Sequence, residues 1–211
     1  MRVLGLTGSI GMGKTTAARM LRRLGVPVHD ADGAVHRLFA AGGKAVLPIS
    51  REFPETIVDG AVDRQRLGAR VFQDPAALRR LESVIHPLVR QEALDFLKRQ
   101  RRRRAALVVL DIPLLFETGG EALCDAVIVV SAPRRLQRQR VMRRAGMSEE
   151  RFQAILARQV PDEVKRKRAD FVVRTGSSKA MTYRQLSHIV RRMRRGGPGK
   201  SKAGRTGTVH A

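Results

Sequence analysis

The sequence of 211 residues lacks tryptophan and asparagine and has one tyrosine and one cysteine, Cys124. A single cysteine cannot form an intramolecular disulfide, and we expect its thiol to be buried and unreactive. Without a cluster of cysteines and histidines, the sequence gives no indication of a zinc site. No apolar run approaches the roughly 18 residues that a membrane helix needs, so we expect no membrane attachment. The scarcity of aromatic residues argues against a stacking surface for single-stranded nucleic acids.

Acidic residues are also few: 19 of them stand against 42 lysines and arginines, which gives a formal net charge of +23. Such a charge favours anionic ligands, although a polyphosphate needs only a handful of cations. Two basic runs, residues 101–104 and 165–168, are interpreted as solvated surface rather than as nucleic-acid patches. Weak, salt-sensitive association with RNA is still expected. Because the sequence enters a predicted strand at once, we expect no signal peptide and a cytoplasmic protein.

Residues 8–15 read Gly-Ser-Ile-Gly-Met-Gly-Lys-Thr, which matches G-x-x-x-x-G-K-[ST] at every fixed position. An apolar segment typical of a buried strand precedes the motif, and residues 16–24 have the periodicity of a helix. A loop in this position presents backbone N–H groups and the positive end of a helix to phosphates. Lys14 can reach the β- and γ-phosphates, and the Thr15 hydroxyl can bind Mg²⁺. The motif therefore predicts a nucleoside triphosphate site, in which Gly8, Gly11 and Gly13 let the backbone approach the anion.

Strand and helix patterns alternate along the chain, as expected for an α/β protein with a parallel sheet. The strands that follow the first are predicted at residues 26–29, 107–110, 126–130 and 171–173. They are rich in β-branched residues and do not alternate, which indicates burial on both faces. A closing helix is predicted at residues 183–195. We predict the three-layer P-loop NTPase fold, whose core comprises residues 1–33, 105–132 and 168–195.

Two stretches do not fit the sheet. Residues 34–104 are too long for a crossover helix and are predicted to form an inserted helical lobe, with helices at residues 75–83 and 87–100. Residues 133–167 are predicted to form a helical, charged lid in which Ser148 caps a helix. Residues 196–211 have no apolar periodicity and are predicted to form a disordered basic tail.

Three aspartates follow predicted strands, at the edge of the sheet where α/β proteins bind ligands. Asp32 can accept the proton of an attacking hydroxyl, as a general base in phosphoryl transfer. The alternative is that Asp32 is the N-cap of the next helix. Asp30, Asp32 and Asp111 also compete as ligands of Mg²⁺.

Further candidates lie in two motifs and in the predicted lid. Residues 111–117 read Asp-Ile-Pro-Leu-Leu-Phe-Glu, whose apolar side chains either wall a pocket or cap the core. His86 precedes Pro87, which is predicted to start a helix, and Arg90 follows one turn later; the pair either faces phosphate or belongs to a turn. The lid arginines that could neutralise charge on a transferred phosphoryl group are Arg138, Arg140, Arg143 and Arg144.

Taken together, these motifs closely resemble those of the dephospho-CoA kinases in order and spacing. The resemblance runs from residue 1 to about residue 192 and rests on residues 8–15, 29–32, 86–90, 111–117 and 137–148. It implies that the core binds ATP with Mg²⁺, that the inserted lobe binds dephospho-CoA, and that the lid supplies arginines. It also implies transfer of the γ-phosphoryl group of ATP to the ribose 3′-hydroxyl, which yields coenzyme A and ADP.

The resemblance also implies roles for individual residues. Asp32 would be the general base, Lys14 and Arg140 would contact phosphates as catalytic residues, and Thr15 would bind the metal. The nucleotide site would comprise Gly8, Gly11, Met12, Gly13, Lys14, Thr15, Thr16, Thr175 and Gly176. The acceptor site would comprise His86, Arg90, Leu114, Leu115, Phe116 and Glu117. Ser9 departs from a common second glycine, and residues 174–176 replace a segment in which many members have asparagine.

Two other functions compete with this interpretation. A nucleotide or nucleoside kinase would share the sheet, loop and lid, but the long insertion favours a larger acceptor. A P-loop GTPase or RNA-associated module would account for the charge, yet GTPases usually specify guanine with an Asn/Thr-Lys-x-Asp segment. That segment is missing from this sequence. We expect a monomer or small homo-oligomer that acts on small molecules.

Overall fold

The structure, a computed structural model, describes residues 1–72 and 74–196. The chain divides into two compact units. The first comprises Met1–His29 and the chain from Gln100 onward, and the second is Asp30–Arg99. The predicted inserted lobe, residues 34–104, overlaps the second unit, although both of its bounds lie a few residues later. Apart from Gly196, the predicted tail lies outside the described residues.

The first unit is built on a sheet of five strands, counted over the described residues, in the order β2-β5-β1-β6-β7. Strand β1 pairs in parallel with β5 and with β6, and β6 pairs in parallel with β7. Every predicted strand is present, so the predicted α/β fold class is confirmed. The bounds are Arg2–Thr7 for β1, Val28–Asp30 for β2, Leu107–Asp111 for β5, Ala126–Ser131 for β6 and Phe171–Arg174 for β7.

The central strands are buried on both faces, which explains why their apolar residues do not alternate. Val108 and Val109 are adjacent in β5 and point to opposite faces, yet neither side chain is exposed. One face packs on α1 (Lys14–Arg23) and α9 (Lys179–Arg194). The predicted apolar face of the closing helix is confirmed, because Leu186, Ile189, Val190 and Met193 are all buried.

Three further helices follow β6 in the first unit: α6 (Arg134–Met142), α7 (Glu149–Ala157) and α8 (Asp162–Arg168). Ser148 caps α7 as predicted, because its side chain accepts the backbone N–H of Arg151. Glu149 in the first turn of α7 pairs with Arg138 of α6 at 2.8 Å. The pKa of Glu149 is lowered by its hydrogen bond from Gln153 and then by Arg138.

The second unit has its own apolar core. It contains α2 (Ala31–Phe39), α3 (Val46–Glu52), a 3₁₀ turn (Pro54–Thr56), β3 (Ile57–Val58), β4 (Ala61–Val62), α4 (Arg64–Phe72) and most of α5 (Pro75–Arg102). Its centre is formed by Leu38, Ile49, Phe53, Leu67 and Ile85. Strands β3 and β4 form a hairpin. The hairpin turns through Asp59 and Gly60, which have φ values of 49° and 72°, as a tight hairpin turn requires.

Helix α5 contradicts the prediction of two helices in this region. It is one helix of 28 residues, and Pro87 lies inside it rather than at the start of a second helix. Proline removes one helical hydrogen bond, but Ile85 and Leu88 on either side pack into the core of the unit, and this packing keeps the helix continuous. At the beginning of α5, Asp74 accepts the N–H groups of Ala76 and Ala77. The Ala77 N–H and the Arg70 guanidinium hold the pKa of Asp74 below its usual value.

The two basic runs differ in their environments. Residues 101–104 are exposed, as predicted. In the second run, however, Lys165 has no exposed surface, so its predicted solvation is wrong. Cys124 is buried, as predicted. Within the described ranges, every helix is too short or too polar to span a bilayer.

Candidate active site

The phosphate-binding motif forms the loop between β1 and α1. Gly11 and Gly13 have φ values of 77° and 94°, in the left-handed region that favours glycine, and Gly13 is the N-cap of α1. Among the described residues, the backbone N–H groups of Gly11, Gly13, Lys14 and Thr15 have no protein acceptor. A loop that offers four such donors at a helix N-terminus suits an anion.

Packing inside the protein gives a further reason for glycine at Gly8. A Cβ atom at this position would lie 2.4 Å from Cγ2 of Val130 and 2.7 Å from the Val130 carbonyl oxygen. Close packing of β1 against β6 therefore excludes a larger residue. Gly8 supports the loop through this packing, and its role in the approach of an anion stays a prediction.

Lys14 forms an ion pair with Asp111 at the end of β5. Its Nζ lies 2.8 Å from Oδ1 of Asp111, and the two side chains are 15% and 5% exposed. The parallel register places Asp111 beside Leu6 of β1, directly before the loop. The sheet thus positions the carboxylate that holds the motif lysine.

The remaining residues of the motif have different environments. The side chain of Thr15 is exposed and makes no hydrogen bond in the described part of the chain, so its hydroxyl is available to a ligand. Thr16 is half-buried. Met12 is 3% exposed, and its Sδ accepts the N–H of Ala132 at 3.1 Å. The Met12 side chain therefore packs inside the protein, which leaves its main chain as the group that can face a nucleotide.

The structure distinguishes Asp30, the last residue of β2, from Asp32. Asp30 is the N-cap of α2, and its Oδ1 accepts the N–H of Gly33 at 3.1 Å. Strand β2 extends one residue further than predicted, so α2 begins at Ala31 and Asp32 lies in its first turn. The alternative that Asp32 caps this helix is therefore wrong. Among the described residues of its own unit, the exposed Asp32 side chain has no hydrogen-bond or ion-pair partner.

The segment after β5 turns most of its apolar residues inward. Leu115 is fully buried and Phe116 is 6% exposed, whereas Leu114 is 38% exposed. The Arg168 guanidinium lies over the Phe116 ring, 4.3 Å from its centroid. This geometry agrees with the core-capping alternative and does not support Leu115 and Phe116 as walls of an open pocket. Leu114 is the apolar side chain of this segment that faces solvent.

Glu117, predicted to border the acceptor, is bound inside the protein. Its Oε1 accepts the N–H of Val160 at 2.8 Å and lies 2.8 Å from Nζ of Lys165. Lys165 is fully buried, so the ammonium and the carboxylate form a buried ion pair. The pair joins the segment after β5 to α8. The sequence suggested a solvated lysine because it lies within a charge run, and nothing local indicated its partner.

Helix α6 lies directly on the phosphate loop. A Cβ on Gly11 would lie 2.6 Å from Cγ2 of Val141 and 2.9 Å from the carbonyl oxygen of Gln137. Val141 is fully buried, and Gln137 is 4% exposed. This helix was predicted to belong to the lid, but its buried side chains pack on the phosphate loop.

Arg140 of α6 connects the loop to the end of β7. Its guanidinium donates to the carbonyl oxygen of Thr175 at 2.7 Å, to the Thr175 hydroxyl at 3.1 Å and to the carbonyl oxygen of Gly11 at 3.4 Å. The Thr175 hydroxyl in turn donates to the Met12 carbonyl oxygen at 2.6 Å. The Thr175 side chain therefore points into the protein, where it cannot contact an adenine. The other lid arginines, Arg138, Arg143 and Arg144, are exposed.

A cleft of about 940 Å³ opens beside the loop. Ser9 and Met12 line it on the loop side, and Gly176 follows β7 on the other side. A Cβ on Gly176 would lie 2.7 Å from Cδ of Pro133, so only glycine allows this close contact at the wall of the cleft. The volume lies within the range of small-molecule pockets.

His86 and Arg90, the other predicted acceptor contacts, belong to the second unit. Both side chains are exposed and lie one turn apart on the same face of α5. Within the described part of their unit, neither side chain has a hydrogen-bond or ion-pair partner. They are available to a ligand, as Asp32 is.

Sequence reasoning missed two glutamines that bind the phosphate loop. Oε1 of Gln159 accepts the N–H of Ile10 at 3.1 Å, and Nε2 of Gln137 donates to the carbonyl oxygen of Ile10 at 2.8 Å. The sequence signal for Gln137 was weak: it lies one turn before Val141 on the buried face of α6. Gln159 follows α7 and belongs to no motif.

A parallel sheet that carries this loop, with N–H groups that lack an acceptor among the described residues and a lysine held at a strand end, defines a P-loop nucleotide-binding protein. Comparison with known sequences is more specific. A sequence model of the family described as dephospho-CoA kinase matches residues 2–180. The chain belongs to the dephospho-CoA kinase family.

Relatives support this assignment over most of the chain. The dephospho-CoA kinase of Paramagnetospirillum magneticum is 65% identical over 79% of this chain and 78% of its own length. That of Mesorhizobium japonicum is 55% identical over 92% of this chain and 98% of its own length. A crystal structure from Thermus thermophilus has a TM-score of 0.77 and 40% identity, covering 90% of this chain and 96% of that one. The dephospho-CoA kinase from Campylobacter jejuni has a TM-score of 0.65 and 26% identity, covering 92% of this chain and 98% of that one.

Proposed function

We propose that this chain transfers the γ-phosphoryl group of ATP to the ribose 3′-hydroxyl of dephospho-CoA, which completes coenzyme A. The observation that carries the proposal is 55% identity, over nearly the whole length of both chains, to a protein named for this activity. The geometry of the loop supports it. Four backbone N–H groups of the loop have no protein acceptor among the described residues, and donors of this kind at a helix N-terminus suit a triphosphate.

The residues of the loop fit a magnesium ion. Mg²⁺ usually keeps several waters and takes one or two protein oxygens beside those of the substrate phosphates. The exposed Thr15 hydroxyl and the Asp111 carboxylate at the strand end are hard oxygen donors of this kind. Within the described residues there is no group of three acidic, histidine or cysteine side chains that could hold an ion. When bound, the ion would neutralise charge on the β- and γ-phosphates.

Asp32 is the proposed general base. Its carboxylate is exposed, and because Asp30 already caps α2, Asp32 is not needed for that purpose. In the reaction, Asp32 takes the proton of the ribose 3′-hydroxyl as the oxygen forms a bond to the γ-phosphorus. The bond between this phosphorus and the β,γ-bridging oxygen breaks, and ADP leaves. General-base catalysis of this kind contributes about 10²–10⁴-fold.

Lys14 and Arg140 supply the proposed positive charge. Lys14 lies at the start of α1 and exchanges its contact with Asp111 for phosphate oxygens when ATP binds. Arg140 already reaches the Gly11 carbonyl, so a small shift of its guanidinium brings it to a phosphate bound in the loop. The cleft bordered by Gly176 is the proposed adenine site. The proposed acceptor contacts are the exposed residues His86, Arg90 and Leu114.

The proposed kinase activity also gives roles to the parts of the chain outside the phosphate loop. The second unit is the proposed acceptor lobe, and α7 and α8 are the proposed lid. We propose a cytoplasmic enzyme, monomeric or a small homo-oligomer, whose excess positive charge produces only weak association with RNA.

A panel of acceptors tests the proposal. The purified chain is incubated with ATP, Mg²⁺ and, in separate reactions, dephospho-CoA, adenosine, AMP and pantetheine, and products are identified by mass spectrometry. We expect coenzyme A from dephospho-CoA and little product from the others. The Lys14→Met variant, purified in the same way, controls for contaminating kinases. Faster phosphorylation of adenosine or AMP would support the nucleoside or nucleotide kinase alternative and contradict the proposal.

A further inference from the structure

The peptide groups of Ile10, in the variable part of the phosphate loop, are bound on both sides by side-chain amides. Gln159 accepts the Ile10 N–H at 3.1 Å, and Gln137 donates to the Ile10 carbonyl oxygen at 2.8 Å. The two glutamines lie 149 and 127 residues away in the sequence. The N–H and the carbonyl oxygen of Ile10 make no hydrogen bond within the sheet or α1. The two side-chain amides therefore provide the partners that regular secondary structure would otherwise provide.

The two amides act in opposite senses. An amide side chain carries one oxygen acceptor and one nitrogen donor, whereas a backbone N–H only donates and a carbonyl only accepts. Position 159 therefore needs an acceptor, and position 137 needs a donor. This asymmetry distinguishes a specific hydrogen-bonding role from general packing.

The backbone at both glutamines is fixed by contacts with the rest of the first unit. Gln137 is 4% exposed on α6, and its own carbonyl oxygen packs on Gly11 of the loop. The residue after Gln159, Val160, donates its N–H to Glu117 at 2.8 Å, which ties this segment to the chain after β5. Because these contacts already hold the backbone at both positions, the two side chains lose little additional conformational entropy when they bind Ile10.

We infer that Gln137 and Gln159 are positioning residues for the phosphates of the nucleotide. By fixing the Ile10 peptide, they hold the loop in the conformation in which the N–H groups of Gly11 and Gly13 are available to an anion before it binds. Preorganisation of this kind improves affinity by reducing the cost of ordering the loop. The inference rests on the proposed function in that it takes ATP as the ligand of the loop, but it does not depend on the acceptor.

Leucine and glutamate variants of the full chain test the inference, with the Kd for ATP measured by isothermal titration calorimetry in the presence of Mg²⁺. Gln159→Leu and Gln137→Leu keep the approximate size and remove the hydrogen bond. We expect each to weaken ATP binding about tenfold, the effect of about one net hydrogen bond. Gln139→Leu is the matched control, because Gln139 is exposed on the same helix, and we expect no change.

The glutamate variants separate positioning from packing. Gln159→Glu keeps the oxygen that accepts the Ile10 N–H, so it is expected to bind ATP more tightly than Gln159→Leu. Gln137→Glu sets a carboxylate oxygen against the Ile10 carbonyl oxygen, so it is expected to bind more weakly than Gln137→Leu. Gln139→Glu measures the effect of the added charge alone. The order of leucine and glutamate is thus reversed between the two positions.

An identical order at both positions, or wild-type affinity in both leucine variants, would overturn the inference. A thermal melting curve shows whether Gln137→Leu folds. If it does not fold, the two variants of Gln159 decide the test. In that case, ATP binding by Gln159→Glu that is no tighter than binding by Gln159→Leu would overturn the inference. A wild-type protein that binds ATP but makes no coenzyme A would refute the proposed function and leave this test intact. The two failures are therefore distinguishable.

Discussion

Nζ of Lys14 lies 2.8 Å from Oδ1 of Asp111, and the carboxylate is only 5% exposed. The end of β5 therefore holds the motif lysine. We expect Lys14→Met to reduce turnover severely, because the motif places this ammonium on the β- and γ-phosphates and methionine carries no charge. We also expect lower stability, by up to about 3 kcal/mol, because the buried carboxylate loses this partner.

Separating these two effects requires a double variant. Lys14→Met with Asp111→Asn removes both charges, so urea unfolding should show stability recovering toward the wild-type value while turnover stays low. Normal turnover in Lys14→Met would remove the lysine from the mechanism. A double variant no more stable than the single one would show that the ion pair does not control stability here.

Asp30 and Asp32 should respond in opposite ways to substitution. Asp30→Ala removes the cap of α2 and should cost about 0.5–2 kcal/mol of stability, whereas Asp30→Asn keeps a capping oxygen and should cost little.

Asp32→Asn should change stability by less than about 1 kcal/mol, since only a charge in the first turn is lost. Its kcat should nevertheless fall about 10²–10⁴-fold, with the affinity for ATP unchanged. Urea unfolding and steady-state kinetics check both. A wild-type kcat in Asp32→Asn would contradict the assignment of Asp32 as the general base.

Gly8 and Gly68 offer a matched pair of glycine substitutions. Gly8→Ala forces a Cβ against Val130 and should destabilise the protein by about 1–3 kcal/mol. Gly68 lies within α4, where an added Cβ meets nothing within 4 Å, so Gly68→Ala should stabilise by about 0.5–1 kcal/mol. Thermal unfolding of the two variants measures the difference. Equal stability of Gly8→Ala and wild type would contradict the packing argument.

The buried pair of Glu117 and Lys165 should act on stability rather than on the acceptor. Lys165→Met leaves the Glu117 carboxylate buried without its cation and should cost about 3–5 kcal/mol. Lys165→Met with Glu117→Gln removes both charges, keeps an oxygen for the Val160 N–H, and should recover much of the loss in urea unfolding. If instead Glu117→Gln preserved stability and raised KM for dephospho-CoA, Glu117 would be an acceptor contact after all.

The features that the sequence predicted well are those determined by local patterns. Apolar, β-branched runs identified the strands, and the spacing of glycines and Lys14 identified the loop, because both depend on residues that are near neighbours in the chain. The sequence offered Asp32 as the alternative cap of α2 and did not identify Asp30, because the position of the cap depends on where β2 ends. Strand ends are set by pairing with a neighbouring strand, and a single segment does not contain that information.

Other features depended on contacts between distant segments. Pro87 is a local helix breaker, and packing of the residues around it into the second unit overrides that tendency. Lys165 lies within a charge run, yet its partner Glu117 is 48 residues earlier in the chain (165 minus 117). Gln159 contacts a loop 149 residues away. Polar residues in such contacts carry no periodicity, so only the folded structure identifies them.

The proposed reaction moves the γ-phosphoryl group of ATP to one particular hydroxyl of dephospho-CoA. The most direct measurement uses ATP labelled with ¹⁸O in the γ-phosphoryl group and locates the label in the product by tandem mass spectrometry. We expect coenzyme A that carries the label in a phosphate on the ribose 3′-oxygen, and no product from the 3′-deoxy analogue. Labelled phosphate on another position, or phosphorylation of the 3′-deoxy analogue at a comparable rate, would contradict it.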